Sequence, residues 1–254
     1  MQQFSTKYTY GFTLALCLGC SVLLATAAVV LKERQVINQT LDKQKSVLQA
    51  ANLVKPGESL SAEVIREKFQ SITPLIVDLK ADTVAEDVDP ANFDPDSVPL
   101  MTPSPNMAQI KAIPEKVQIY EVMKDGKVDM LVLPIEGKGL WGTLYGYLAL
   151  GADTNTIRGI TYYDHKETPG LGGEVDNPKW KNRWPGRKAY DEDGDVAIHV
   201  IKGAAGPAAE DPHSIDGLSG ATITSRGVTH MLEFWLGEEG FGPWLKTFRE
   251  HRSG

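Results

Sequence analysis

Beyond its first apolar run, the chain has no cysteine. Among 254 residues the only cysteines are Cys17 and Cys20, and both lie within that run. Their absence elsewhere excludes a disulfide framework, a thiolate metal site and a cysteine nucleophile from the soluble part. The five histidines show no metal-ligand spacing, and no serine belongs to a recognisable hydrolase triad. We therefore predict no metal site and no catalytic residue.

The chain also lacks a cluster of positive charge. Its formal net charge is -7, and its 26 Lys and Arg residues are spread along the chain. Because binding to phosphate backbones needs a basic face, nucleic acid is excluded as the main partner. The 42% of hydrophobic residues is typical of a globular protein.

One segment lacks charge altogether. Gly11 to Leu31 is a run of 21 mostly apolar residues, and Tyr8 and Tyr10 precede it. As a helix it would span roughly 30 Å, the thickness of a bilayer core. A signal peptide cleaved after Ala27 is the alternative, but the apolar run continues past that position. We predict an uncleaved transmembrane helix in contact with membrane lipid.

The charges around this helix give a weak indication of its orientation. Lys32, Arg34, Lys43 and Lys45 follow it, while Lys7 alone precedes it. A simple count of these charges under the positive-inside rule predicts that the soluble part lies in the cytoplasm, although the rule weakens for long translocated domains.

The remaining sequence predicts an α+β fold. After the N-terminal segment 1–10 and the transmembrane helix 11–31, residues 32–108 read as a helical stalk followed by an acidic, Pro-rich connection. In the domain 109–254, period-two patterns predict a small, mainly antiparallel sheet packed by helices. The predicted strands cover 117–122, 128–135, 143–150, 157–163 and 196–202.

A turn rich in small residues comes before the last predicted amphipathic helix. Residues 216–225 read DGLSGATITS, and an apolar helical face follows from Val228 to Leu236. Glycines allow close backbone approach, and free amides at a helix start favour an anion. The segment therefore predicts either a phosphate site at a helix N-terminus or a plain Ser/Thr N-cap.

The segment Ser219-Gly220-Ala221-Thr222-Ile223-Thr224 resembles the flavinylation motif of FMN-binding domains in sodium-pumping and other ion-pumping respiratory complexes. Together with 38–45 (NQTLDKQK), 139–142 (GLWG) and 167–173 (ETPGLGG), it makes the chain similar, over nearly its whole length, to the family of C subunits of Na+-translocating NADH:quinone reductases. The resemblance implies FMN joined through its phosphate to the hydroxyl of Thr224, which we expect to be exposed.

The predicted cofactor-binding residues surround this threonine. The resemblance favours Trp141 and Leu171 as contacts to the flavin ring, although Trp141 could also be a core residue. Lys202 is either a counter-charge for the reduced flavin or phosphate, or a solvated strand end. The full set of candidates is Thr224, Ser219, Gly220, Ala221, Thr222, Trp141, Glu167, Thr168, Gly170, Leu171 and Lys202.

The resemblance implies a covalent-FMN electron carrier in a membrane complex that oxidises NADH, reduces ubiquinone and translocates Na+. It implies the other subunits as partners, a flavin transferase that uses FAD and a divalent metal, and a domain on the periplasmic side of the inner membrane. The alternatives are the equivalent subunit of a ferredoxin:NAD electron-transport complex, a flavin-using redox sensor, and a membrane-anchored binding module without a cofactor.

Overall fold

The computed structural model describes residues 5–55, 58 and 60–253, apart from the side chains at positions 33, 252 and 253. The chain forms two compact units, Met1–Asp42 and Lys43–Gly254.

From Thr6 onward the first unit belongs to one long helix, α1, which spans Thr6–Ala50. Residues 1–4 of the predicted N-terminal segment 1–10 lie outside the described residues. Its segment Thr6–Lys32 is long and apolar enough to cross a membrane, and contains the whole predicted run 11–31. The hydroxyls of Thr13 and Thr26 donate to the carbonyls of Thr9 and Val22. These polar groups are thus satisfied within the helix, as a lipid environment requires. An N-terminal apolar helix followed by an α+β domain confirms the predicted fold class.

A six-stranded antiparallel sheet forms the centre of the second unit. The strands are β1 Ile72–Asp78, β2 Thr83–Val84, β5 Lys116–Lys124, β6 Lys127–Lys138, β7 Thr143–Gly151 and β8 Ile157–Asp164. Their order is β2-β1-β5-β6-β7-β8, and every neighbouring pair is antiparallel. The β5–β6 hairpin turns at Asp125 and Gly126, both with positive φ, as a two-residue hairpin turn requires.

In the part of the second unit that the structure describes, two short strand pairs and four further α-helices accompany this sheet. The antiparallel pair is β3 Leu100–Met101 with β4 Ile113–Pro114, and the parallel pair is β9 His199–Val200 with β10 Ser214–Ile215. The helices are α2 Ala62–Phe69, α3 Pro178–Lys181, α4 Thr222–Leu236 and α5 Gly242–Ser253.

Helix α4 packs closely on strand β6. A Cβ added at Gly137 would lie 2.6 Å from the Cβ of Met231, and one at Gly227 would lie 2.2 Å from the carbonyl oxygen of Lys138. The indole of Trp235 donates to the carbonyl of Glu136 at 2.8 Å. The absence of side chains at the two glycines therefore lets the helix approach the strand closely.

Some predicted elements differ from the observed ones. Strand β1 and helix α5 were not predicted, and the predicted strand 196–202 was mostly wrong because only His199–Val200 forms a strand there. The boundary at residue 109 stays a prediction, although β1 already pairs with β5 in the central sheet.

Candidate functional site

The turn before α4 is shaped by its two glycines. Gly220 has φ of 70°, and a Cβ added there would lie 2.9 Å from Cδ2 of Leu171. A Cβ at Gly217 would lie 2.3 Å from the carbonyl oxygen of Ile201. The hydroxyl of Ser225 accepts from the backbone N–H of Leu218 at 3.1 Å and holds the turn against the helix. A residue with a side chain at either glycine would force neighbouring atoms to move.

The start of α4 is not a plain Ser/Thr N-cap. Its N-cap residue is Ala221, which provides no side-chain hydrogen bond. The backbone amides of Thr222, Ile223 and Thr224 have no partner among the residues that the structure describes. Free amides at the positive end of a helix are suited to an anion. The geometry supports the phosphate-site interpretation.

A pocket of about 670 Å³ lies beside this helix start. It is lined by Val200, Ile201, Lys202, Gly203, Ala204, Asp216, Gly217, Leu218, Ser219, Gly220, Thr222, Ser225 and Arg226. Lys202 and Arg226 are exposed, and neither forms an ion pair within the described part of the chain. These two cations leave the pocket with positive charge available for a ligand phosphate.

Arg226 was missed by the sequence predictions. It lies four residues after Thr222, which places both side chains on one face of α4. This spacing within a helix that follows a glycine-rich turn is the signal that could have identified it.

Thr224 lies outside the pocket lining, and its predicted exposure was wrong. None of its surface is exposed, and its Oγ1 donates to Oε2 of Glu167 at 2.5 Å. The other carboxylate oxygen, Oε1, accepts from the backbone N–H of Trp141 at 2.9 Å. The prediction failed because Glu167 is 57 residues away in sequence and only the fold brings it onto the helix.

Two glycines enclose the carboxylate of Glu167. A Cβ added at Gly139 would lie 2.6 Å from Oε1, and one at Gly172 would lie 2.4 Å from Oε2 and 2.6 Å from Oγ1 of Thr224. Glu167 as a whole is only 5% exposed. The backbone therefore closes around the Glu167–Thr224 hydrogen bond.

A second set of charges supports the backbone of Glu167. In the neutral ring of His165, Nδ1 accepts from the N–H of Glu167 at 3.2 Å, and Nε2 lies 2.8 Å from Asp176. The buried Lys181 lies 3.2 Å from the other oxygen of Asp176. The hydrogen bond to Asp176 raises the pKa of His165. Burial alone would raise the pKa of Asp176, but His165 and Lys181 outweigh it and lower that pKa.

The structure brings the other candidates to the same region. Trp141 is 65% exposed, so the core alternative was wrong, and Leu171 is 44% exposed. The carbonyl of Thr168 accepts from the N–H groups of Leu171 and Gly173, and Gly170 has φ of 76°. The candidates form two groups, one lining the pocket and one around Glu167, which meet where Leu171 contacts Gly220.

These residues fit a flavin nucleotide. The free amides and the two cations suit its phosphate, the glycines allow close approach, and the exposed side chains of Trp141 and Leu171 can cover an aromatic ring.

Comparison with known proteins gives the same answer. Residues 139–237 match the FMN-binding domain family. The chain is 45% identical to the NqrC protein of the Na(+)-translocating NADH-quinone reductase of Pseudomonas aeruginosa, with 98% of both chains covered. It is 46% identical to the corresponding protein of Yersinia pestis, over 92% of this chain and 90% of that one.

A solved structure shares the fold. The crystal structure of Shewanella oneidensis NqrC superposes with a TM-score of 0.75 at 35% identity, covering 84% of this chain and 99% of that chain. The sequence match covers 98% of this chain and the structural match covers 84% of it, which favours the sodium pump over the ferredoxin:NAD complex and over a module without a cofactor. The chain belongs to the NqrC family, the FMN-binding subunits of the Na+-translocating NADH:quinone reductases.

Proposed function

We propose that Thr224 carries the FMN covalently, through a phosphoester with its hydroxyl, and that the tethered flavin passes electrons within the reductase. The observation that carries this proposal is the position of Thr224 in the first turn of α4, where free amides and the pocket containing Lys202 and Arg226 lie close by. When bound, FMN supplies the ability to accept and donate electrons one at a time.

The residues of this chain bind and orient the group. Lys202, Arg226 and the amides of Thr222 to Thr224 neutralise negative charge on the phosphate. Trp141, Leu171 and Thr168 lie on the exposed side, where they can contact the flavin ring and its edge. Thr224 is a tether, and a covalent tether keeps an exposed carrier from dissociating.

The proposal includes three kinds of partner. The other subunits of the reductase supply and receive the electrons, a flavin transferase attaches FMN from FAD with a divalent metal, and lipid surrounds the apolar segment Thr6–Lys32. The family resemblance supports each of them.

A gel experiment tests the covalent bond. The full chain is expressed with and without a flavin transferase, denatured and viewed under ultraviolet light. We expect a fluorescent band only with the transferase, and none for Thr224→Val, which keeps the side-chain volume. A fluorescent Thr224→Val band would place the flavin elsewhere, and a dark wild-type band would refute covalent attachment.

We further propose that the soluble domain lies on the periplasmic side of the inner membrane. The resemblance supports this placement, and the opposing count of Lys and Arg weighs little for a long translocated domain. Because the soluble part has no native cysteine, Lys246→Cys gives one exposed labelling site. A membrane-impermeant maleimide is expected to label it in intact cells, whereas labelling only after lysis would place the domain in the cytoplasm.

A further inference from the structure

In this structure no reactant can reach the hydroxyl of Thr224. Thr224 has no exposed surface, and its Oγ1 lies 2.5 Å from Oε2 of Glu167 and close to Gly172, where an added Cβ would lie 2.6 Å from it. A phosphorus atom must approach the attacking oxygen directly before a phosphoester can form. The conformation therefore leaves no route for a flavin phosphate to reach this oxygen.

The loop from Glu167 to Gly173 holds the hydroxyl in this state. Glu167 is fixed at both oxygens, by Thr224 and by the N–H of Trp141. Leu171, from the same loop, lies against Gly220 in the turn before the helix. A short hydrogen bond to a carboxylate is roughly twice as strong as one between neutral groups. Two contacts therefore hold the loop beside Thr224, the hydrogen bond of Glu167 and the contact of Leu171 with Gly220.

Attachment of FMN is incompatible with this arrangement. In the transfer the bond from Oγ1 of Thr224 to the FMN phosphorus forms, the phosphoanhydride bond of FAD breaks, AMP leaves, and the hydroxyl proton passes to the transferase or to solvent. Oγ1 then has no proton to donate to Glu167, and the phosphoester brings a negative charge close to the carboxylate. A single added carbon at Gly172 would already lie 2.6 Å from Oγ1, so a phosphate has no space there.

We propose that the loop Glu167–Gly173, fastened by the Glu167–Thr224 hydrogen bond, is a latch that shields Thr224 before maturation and is permanently displaced when FMN is attached. This inference rests on the proposed covalent attachment at Thr224. Opening the latch frees Glu167, Thr168 and Leu171, so attachment itself completes the surface that receives the flavin ring. Glu167 is thus a positioning residue that controls access to the reacting oxygen.

The rate of flavin attachment tests the latch. The full chain in detergent, expressed without the transferase, is mixed with purified flavin transferase, FAD and Mg2+, and covalent fluorescence is followed with time. Glu167→Gln keeps the side-chain shape but replaces the charged hydrogen bond with a weaker neutral one. We expect attachment to be up to about tenfold faster, since about 1.4 kcal/mol corresponds to a factor of ten.

The matched control is Glu174→Gln. Glu174 lies next to the loop and accepts from the side chain of Asn177, with no contact to Thr224 in the described structure. We expect its rate to equal that of the wild type. A slower rate for Glu167→Gln would show that Glu167 takes the hydroxyl proton, and an unchanged rate would show that the latch does not limit access; either result overturns the proposal. A wild-type chain that gains no flavin would instead refute the covalent attachment itself.

Hydrogen exchange gives a second readout that does not depend on transfer. Exchange is measured by mass spectrometry on the chains that carry no flavin. In Glu167→Gln the peptide covering 168–176 is expected to exchange at least several-fold faster than in the wild type and in Glu174→Gln, with the peptides of the central sheet unchanged. Equal exchange of this peptide in all three proteins contradicts the latch, and faster exchange throughout the sheet would show loss of the fold in place of loop opening.

Discussion

The Glu167–Thr224 hydrogen bond makes an unusual prediction, because removing the hydroxyl should destabilise the protein before any flavin is attached. Thr224→Val keeps the side-chain volume but leaves Oε2 of the buried Glu167 without its donor. Hydrogen bonds to charged groups contribute about 1.5–3 kcal/mol, so we expect a loss of about 2 kcal/mol in the free energy of unfolding. The same substitution of an exposed threonine would change the free energy of unfolding very little.

Thr224→Ser is the matched variant. It keeps the hydroxyl and removes one buried methyl group, so we expect a loss of about 1 kcal/mol. The expected order of stability is wild type, then Ser, then Val. In a chain that already carries Glu167→Gln, Thr224→Val is expected to lower the free energy of unfolding by under about 1 kcal/mol, because residue 167 then has no negative charge that needs the donor.

Urea unfolding of the full chain in detergent, without flavin, measures these differences. The five tryptophans all lie between residues 141 and 244, so their fluorescence reports on the soluble domain. The midpoints give the change in stability where the urea dependence is unchanged. A Val variant within about 0.5 kcal/mol of the wild type, or one more stable than Ser, would refute the buried hydrogen bond.

Three further substitutions have measurable consequences. Gly172→Ala places a Cβ 2.4 Å from the carboxylate of Glu167 and is expected to cost about 1–3 kcal/mol in urea unfolding; a neutral change would contradict the tight enclosure. Lys202→Ala is expected to keep covalent flavin and lower its reduction potential by at most roughly tens of millivolts, and an unchanged redox titration removes Lys202 from the site. Since the pKa of His165 is raised, its pair with Asp176 stabilises the fold fully below the ordinary pKa of 6.5 and loses this contribution as pH rises through the folded-state pKa. His165→Gln should therefore cost more at about pH 6 than at about pH 9, by under about 1 kcal/mol, and equal costs would contradict the pairing.

The local patterns predicted helix α4 and four strands of the central sheet well. The residues Val228, Met231, Leu232, Trp235 and Leu236 are all buried, as their helical spacing indicated. Strand β1 was missed because Pro74 interrupts its apolar run, and proline is typical of edge strands. Among the described residues, β2 pairs only with Val77 and Asp78, so the strand around Pro74 has a paired neighbour, β5, on one side alone.

The sequence named candidate residues for the site, which stay predictions, but it did not give their arrangement. The motif located Thr224, and the family resemblance added Glu167 and Trp141 without saying how they meet. Burial of the hydroxyl depends on a loop that is distant in sequence and on Gly172, whose missing side chain makes the contact possible. Such long-range contacts follow from tertiary packing, and no local pattern encodes them.

Covalent attachment of FMN at Thr224 is decided by the mass of the matured protein. The full chain coexpressed with its flavin transferase is measured intact, digested, and the peptide 216–226 is sequenced by mass spectrometry. We expect an increase equal to one FMN less one water, located on Thr224 and absent from Thr224→Val. An unmodified peptide in a fully matured sample, or a flavin on any other residue, would contradict it.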